Sequence, residues 1–255
     1  CFQRYIKKKQ TMINRNFNKT IAEILVFTTL LFAGCSKDDG NDDVQLPDPP
    51  AVVQSDIKGI DDRLENFLSE NNFPGISLAI SKDGKLVYQK GYGLANVEGA
   101  TEVDTTSQFR IASVSKLFTS VAIMKLIQDK KLTIDQPVFG EGGILGTTYG
   151  QQPYGTYVTD ITIGDLLHHT SGGWGQDNDP AFFDRTLDTD AIIDWTVDNL
   201  PLAKAPGTAF AYSNFGYMLL SKIVEKAGAR PYAKYVEYEI LSKVGAESTF
   251  IAGTG

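Results

Sequence analysis

Apolar residues recur along this chain first with a helical and then with a strand-like period. From Ile57 to about Asn71, the residues Ile57, Ile60, Leu64, Phe67 and Leu68 trace one helical face, and Pro74-Gly75 end it. Ile76 to Ile80 and Lys85 to Gly91 then flank Ser81-Lys82-Asp83-Gly84, where an Asp-Gly pair between β-rich runs predicts a hairpin. Gly91 and Gly93 mark a bend, and the polar stretch from Glu98 to Gln108 leads to a second helix. There Leu117, Phe118, Val121, Ala122, Met124 and Ile127 recur at three- and four-residue steps, predicting one buried face and an end near Asp129 to Lys131.

Between Thr133 and Thr159 the chain is loop-like and rich in Gly and Tyr, with aromatics that cover the core or line a cleft. Thr162 and Asp165 form a capping-box pattern before Leu166 and Leu167. Asp190 to Asn199 reads as a short helix capped by Thr189. From Phe215 the residues Tyr217, Met218, Leu219, Leu220, Ile223 and Val224 suit a buried helix closed by Gly228, and Tyr232, Tyr235 and Ile240 suit another. The part from Thr162 onward is predicted to be mostly helical.

Length and apolar content suffice for a sizeable core. Charge divides the chain unevenly. Six of its 24 basic residues but only one of its 31 acidic residues precede Cys35, so the remainder is more acidic than the overall −7 indicates. That balance argues against nucleic acid and anionic membrane surfaces as partners. Residues 1–11 read as sequence upstream of a start at Met12. Residues 12–34 read as a signal peptide, with Arg15 and Lys19 ahead of an apolar run from Ile21 to Ala33. That run is shorter than a membrane span.

Leu31-Phe32-Ala33-Gly34-Cys35 resembles a bacterial lipobox, in which Cys35 becomes the lipidated first residue of the mature protein. The following Ser36-Lys37-Asp38-Asp39 resembles an acidic surface-export signal of Gram-negative lipoproteins; the alternative is a solvated charge run. The expected location is thus the outer membrane, lipid-anchored and facing the cell surface, with the periplasmic face as the alternative. Residues 35–56, rich in Asp, Pro and Gly, read as a flexible tether. No cysteine is left over for a disulfide.

The candidate chemistry lies in Phe109 to Phe118, where Ser113 and Lys116 stand three apart at the helix start. That spacing puts both side chains on one helical face, at the positive end of the dipole. A serine and a lysine so placed can be a nucleophile and its activator; equally, Ser113 or Ser115 can be an N-cap beside a surface lysine. Ser55 and Lys58 repeat the spacing next to the tether, where it reads as coincidence. The two histidines, His168 and His169, are adjacent, and no H-E-x-x-H, G-x-S-x-G or phosphate-binding glycine motif is present. His169 reads as a structural hydrogen-bonding residue, and neither a metal nor a cofactor is expected. Tyr212-x-Asn214 is the single Y-x-N among the eleven tyrosines, in a loop before a helix.

Joined to Ser113-x-x-Lys116, this second motif resembles the serine hydrolases grouped with class C β-lactamases, DD-peptidases and related esterases. The resemblance covers roughly Ile57 to Phe250. It includes Pro74-Gly75, Phe109-Arg110-Ile111-Ala112-Ser113, Ile161 to Gly172 and Pro206-Gly207-Thr208 ahead of Tyr212 to Tyr217. It implies an α/β (α+β), penicillin-binding-protein-like fold over residues 57–255: an antiparallel sheet flanked by helices, plus a mostly helical domain, with the C-terminal sheet strands missing. It also implies that Ser113 attacks an amide, β-lactam or ester carbonyl to form an acyl-enzyme, with Lys116 or Tyr212 taking the proton and Asn214 orienting Lys116 and the substrate. The backbone N–H of Ser113 would supply half the oxyanion hole.

The family's third motif, Lys or His, a small residue, then Gly on a strand, is expected beyond residue 255; Lys226-Ala227-Gly228 reads as a helix end. The chain as given is therefore expected to have little activity and an exposed sheet edge. Partners are a small-molecule or peptide substrate with a reactive carbonyl, and the outer membrane through the lipid anchor. A surface location favours peptidase or esterase work over β-lactam defence. The rival function is a catalytically silent cell-surface binding protein on the same fold.

Overall fold

The computed structural model describes residues 56–251 except Arg185. The proposed signal peptide, Cys35 and nearly all of the tether lie outside them. The described residues 56–80 and 88–251 belong to one compact unit, which holds the site described below; the hairpin tip, 81–87, is counted separately from it.

Helix α1 (Lys58–Asn71) precedes a three-stranded sheet, order β1-β2-β3, built from β1 (Gly75–Lys82), β2 (Lys85–Asn96) and β3 (Thr101–Glu102). The hairpin turns on Asp83 and Gly84, both with positive φ (52° and 73°), the combination a type I′ turn requires. Of the apolar face expected on α1, only Leu68 is buried, while Ile57 and Phe67 are exposed. A polar tie holds this helix to β2 instead. Asp61 accepts hydrogen bonds from Tyr92 (2.7 Å), Tyr88 (3.1 Å) and Lys90 (3.1 Å), led by that from Tyr92, which together hold its carboxyl below the usual range.

Gly91 and Gly93 do not end the strand; β2 runs through both. They are glycines because neighbouring backbone comes too close for a side chain. A Cβ on Gly91 would sit 2.1 Å from the Val103 carbonyl oxygen, and one on Gly93 2.3 Å from that of Pro74. Gly91→Ala is therefore expected to destabilise the fold by about 1–3 kcal/mol, the usual range for overpacking, read as a lower denaturant midpoint. A midpoint equal to the parent's would contradict this close approach. With β2 in the middle, β1 is an edge strand among the described residues.

The larger part is helical: α2 (Ser115–Gln128), α3 (Ile163–Leu167), α4 (Thr189–Asn199), α5 (Asn214–Gly228) and α6 (Tyr232–Val236), the last continued by a π-helical turn at Glu237–Leu241. Helix α2 packs on α5, burying Ala122, Ile123 and Leu126 with Phe215, Leu219 and Ile223. This reverses part of the sequence expectation. Leu117, Val121 and Met124 are exposed, and Thr119 takes a buried position by bonding its hydroxyl to that of Tyr232 (2.7 Å). The helix is apolar nearly all round, so periodicity alone could not choose its buried face.

Other ends differ in detail. Thr162 and Asp165 do form the capping box of α3. Asp188 rather than Thr189 caps α4, accepting from the Ala191 N–H. Ala229, not Gly228, takes the left-handed turn after α5; Gly228 is small because a Cβ there would lie 2.4 Å from the Tyr235 ring. Lys226-Ala227-Gly228 thus lies in a helical turn and not on a strand. The Gly- and Tyr-rich segment covers the core with Val138, Phe139, Leu145 and Tyr149.

Candidate active site

Neither serine expected as an N-cap acts as one. Ser113 lies within a 3-10 turn, Ala112–Val114, and α2 starts at Ser115 with no side-chain cap. Ala112 sits in the left-handed region (φ 44°), a conformation a non-glycine residue adopts at some energetic cost. Because Ser113 does no capping, its hydroxyl is available to side chains from another element. The Tyr212 hydroxyl donates to Ser113 Oγ at 2.7 Å and Lys116 Nζ approaches it at 3.3 Å. Lys116 Nζ also donates to Asn214 Oδ1 at 2.6 Å and lies over the rings of Tyr212 (4.9 Å) and Tyr217 (5.5 Å). All four residues singled out in the sequence, Ser113, Lys116, Tyr212 and Asn214, therefore meet at one point, although 98 positions separate Lys116 from Asn214.

Two elements carry this group. Helix α2 supplies Lys116 one turn from Ser113. Tyr212 and Asn214 stand on either side of Ser213, the N-cap of α5, whose hydroxyl accepts from the Gly216 N–H (2.7 Å) and donates to the Trp174 carbonyl. Packing α2 against α5 brings the two pairs together.

Electrostatics make the Tyr212 phenol easier to ionise than a free tyrosine. The Lys116 ammonium and the Ser113 hydroxyl hold the Tyr212 hydroxyl below the ordinary tyrosine value, because each stabilises the phenolate. His169 lies beside this ring, 4.6 Å between centroids, and its Nδ1 accepts the Ser213 N–H at 3.0 Å. Nδ1 is thus an acceptor, which puts the ring proton on Nε2. Burial, helped by the charge on Lys116, holds His169 below the usual histidine value, and the neutral ring steadies the Tyr212-Ser213 backbone. A cavity of about 390 Å³ opens beside Ser113 and Lys116 and is lined also by Asn214, Tyr217, Ser221 and Tyr232. That is enough for a small ligand.

Sequence reading missed Asp179. Its carboxylate is buried and accepts from the Asn214 side chain (Nδ2, 3.0 Å) and from three backbone N–H groups. A local signal existed, since an Asp before Pro180 is a natural cap, and Asp179 does cap the turn Pro180–Phe182. Nothing local linked it to Asn214.

Comparison with known proteins places this arrangement in context. The family model described as Beta-lactamase matches residues 60–254. Protein flp of Staphylococcus aureus (strain NCTC 8325 / PS 47) is 32% identical over 182 residues, 69% of this chain and 34% of its own length. A putative D-alanyl-D-alanine carboxypeptidase of Escherichia coli (strain K12) is 26% identical over 245 residues, 88% of this chain and 54% of its own. The solved octameric penicillin-binding protein homologue from Pyrococcus abyssi superposes with a TM-score of 0.62 at 30% identity, covering 75% of this chain and 43% of that one. The chain thus spans between about a third and a half of the length of these relatives.

Proposed function

The chain belongs to the Beta-lactamase family, and from that premise we propose that it is a serine hydrolase whose nucleophile is Ser113. The observation that carries this reading is the 2.7 Å bond between Tyr212 and Ser113 beside the Lys116 ammonium. With Tyr212 ionised, the Ser113 proton passes to the phenolate as Oγ attacks the substrate carbonyl, and the phenol then returns it to the departing amine or alcohol. Water attacks the acyl-enzyme in the second half-reaction, giving up its proton by the same route. Tyr212 is the base in this reading, and Lys116 favours its ionised form while Asn214 holds Lys116. The Ser113 N–H, in the 3-10 turn that leads into α2, is one oxyanion donor.

The proposed substrates are peptides or esters. The name of the Escherichia coli relative favours a peptide, and the cell-surface location read from Cys35 and its flanks favours either over a defensive β-lactamase. Activity is proposed for the whole protein, since this chain spans only part of its relatives' length. Nitrocefin, a p-nitrophenyl ester and a peptide ending in D-Ala-D-Ala are the test substrates. We expect the whole protein to hydrolyse the ester or the peptide with a burst of one product per chain, and nitrocefin more slowly. Absence of any burst or turnover, with the peptide still bound, would favour the silent binding protein. We also propose lipid anchoring at Cys35: palmitate incorporation in a Gram-negative host should disappear in Cys35→Ala, and persistence would refute the anchor.

A further inference from the structure

Asp179 is a buried acid, 4% exposed, and among the described residues no cationic side chain is bonded to it. Its partners are four N–H groups. Oδ1 accepts from the Phe215 N–H (3.0 Å) and the Ala181 N–H (3.1 Å), and Oδ2 accepts from the Asn214 N–H and from Asn214 Nδ2 (3.0 Å). Three of these are backbone donors, two of them at the start of α5. The fourth is the side chain whose other end, Oδ1, meets Lys116 Nζ at 2.6 Å.

The chemistry of this chain of contacts allows only one arrangement. A carboxylate accepts and cannot donate, and an ammonium donates and cannot accept. An amide between them must turn its NH₂ to the carboxylate and its oxygen to the ammonium. We propose that Asp179 is a positioning residue: by accepting from Nδ2 it fixes which way the Asn214 amide points, and so keeps an acceptor aimed at Lys116. The proposal rests on the reading of Ser113, Lys116 and Tyr212 given above, and adds to it a residue that touches no reacting atom. The same carboxylate also occupies two N–H groups at the start of α5, so the helix terminus is closed to a substrate anion.

Asp179→Asn tests it, because the new amide keeps the shape but has one acceptor atom where there were two. If its oxygen takes the Oδ2 place, its NH₂ faces two immovable backbone donors, Phe215 and Ala181. If its oxygen takes the Oδ1 place, both of those are kept, and the NH₂ faces the Asn214 backbone N–H and Asn214 Nδ2, of which the second can turn away. The second orientation leaves fewer donors opposed. It turns the Asn214 amide over and sets its NH₂ against Lys116.

Labelling of Ser113 by a fluorophosphonate should therefore slow about 10- to 100-fold, by analogy with the loss of a group that orients a metal ligand. Replacing Asn214 by aspartate in that background restores an acceptor for both neighbours. Asp179→Asn/Asn214→Asp should then label at least about tenfold faster than Asp179→Asn, whereas Asn214→Asp alone, with two carboxylates facing each other, should be slow. A residue that only capped α5 would show no such recovery. A double variant no faster than either single one would overturn the proposal.

The side-chain amide resonances of Asn214 supply a readout that needs no catalysis. In the parent chain Nδ2 bonds to a carboxylate, and Asp179→Asn should shift both its ¹H and ¹⁵N signals; unchanged signals would overturn the proposal whatever the labelling shows. Failure of the parent protein to label at Ser113 would instead count against the catalytic reading, leaving the amide signals to decide the role of Asp179.

Discussion

Ser113→Ala is expected to reduce covalent labelling and turnover to background, a loss of several orders of magnitude, while leaving the thermal midpoint within about a degree or two of the parent. The side chain is exposed and caps no helix, so its removal opens no buried cavity and leaves no fully buried group unpaired. What it removes is the one oxygen that both Tyr212 and Lys116 address. Stability and activity should therefore separate cleanly at this position. A parallel loss of both would mean that Ser113 serves the fold.

Tyr212→Phe and Lys116→Ala have the next largest effects, and pH tells them apart. Tyr212→Phe deletes the proton acceptor and should slow acylation about 10²- to 10⁴-fold, the usual contribution of a general base. In the proposed mechanism the phenolate is the active form, and the Tyr212 hydroxyl is held below the value of a free tyrosine, so the parent's rate should rise with pH through that lowered value and level off above it. Lys116→Ala removes the main group favouring the phenolate. The rise should then move upward, toward about pH 10, with a corresponding loss of rate at neutral pH. If the rise keeps its position in Lys116→Ala, Lys116 does not set the ionisation of Tyr212. If Tyr212→Phe retains the rate, the proton goes elsewhere, and Lys116 is the remaining candidate.

How far the sequence could carry this picture depended on the range of the interactions. Ser113 and Lys116 were legible as a pair because a helix places residues three apart on one face, and that needs no tertiary information. Tyr212 and Asn214 were legible as a motif, but their meeting with Ser113 follows from α2 packing on α5, a contact that no local pattern encodes. Asp179 stayed hidden for the same reason, since it lies 35 positions from Asn214, and its burial is visible only when α5 is in place. On α2 the apolar residues cover too much of the circumference for their spacing to name the inner side, so the outward Leu117, Val121 and Met124 share the period of the core positions. Gly91 and Gly93 read as punctuation because a glycine in a strand marks either a bend or the close approach of another backbone, and the sequence does not show which; here Val103 and Pro74 come too close for a side chain.

The central claim is that Ser113 becomes acylated, and mass-spectrometric mapping of the adduct tests it most directly. After reaction with a fluorophosphonate or a fluorescent penicillin, the protein should carry one adduct per chain, on the peptide containing Ser113, and none in Ser113→Ala. An adduct on a different residue, or equal labelling of the parent and Ser113→Ala, would contradict the account.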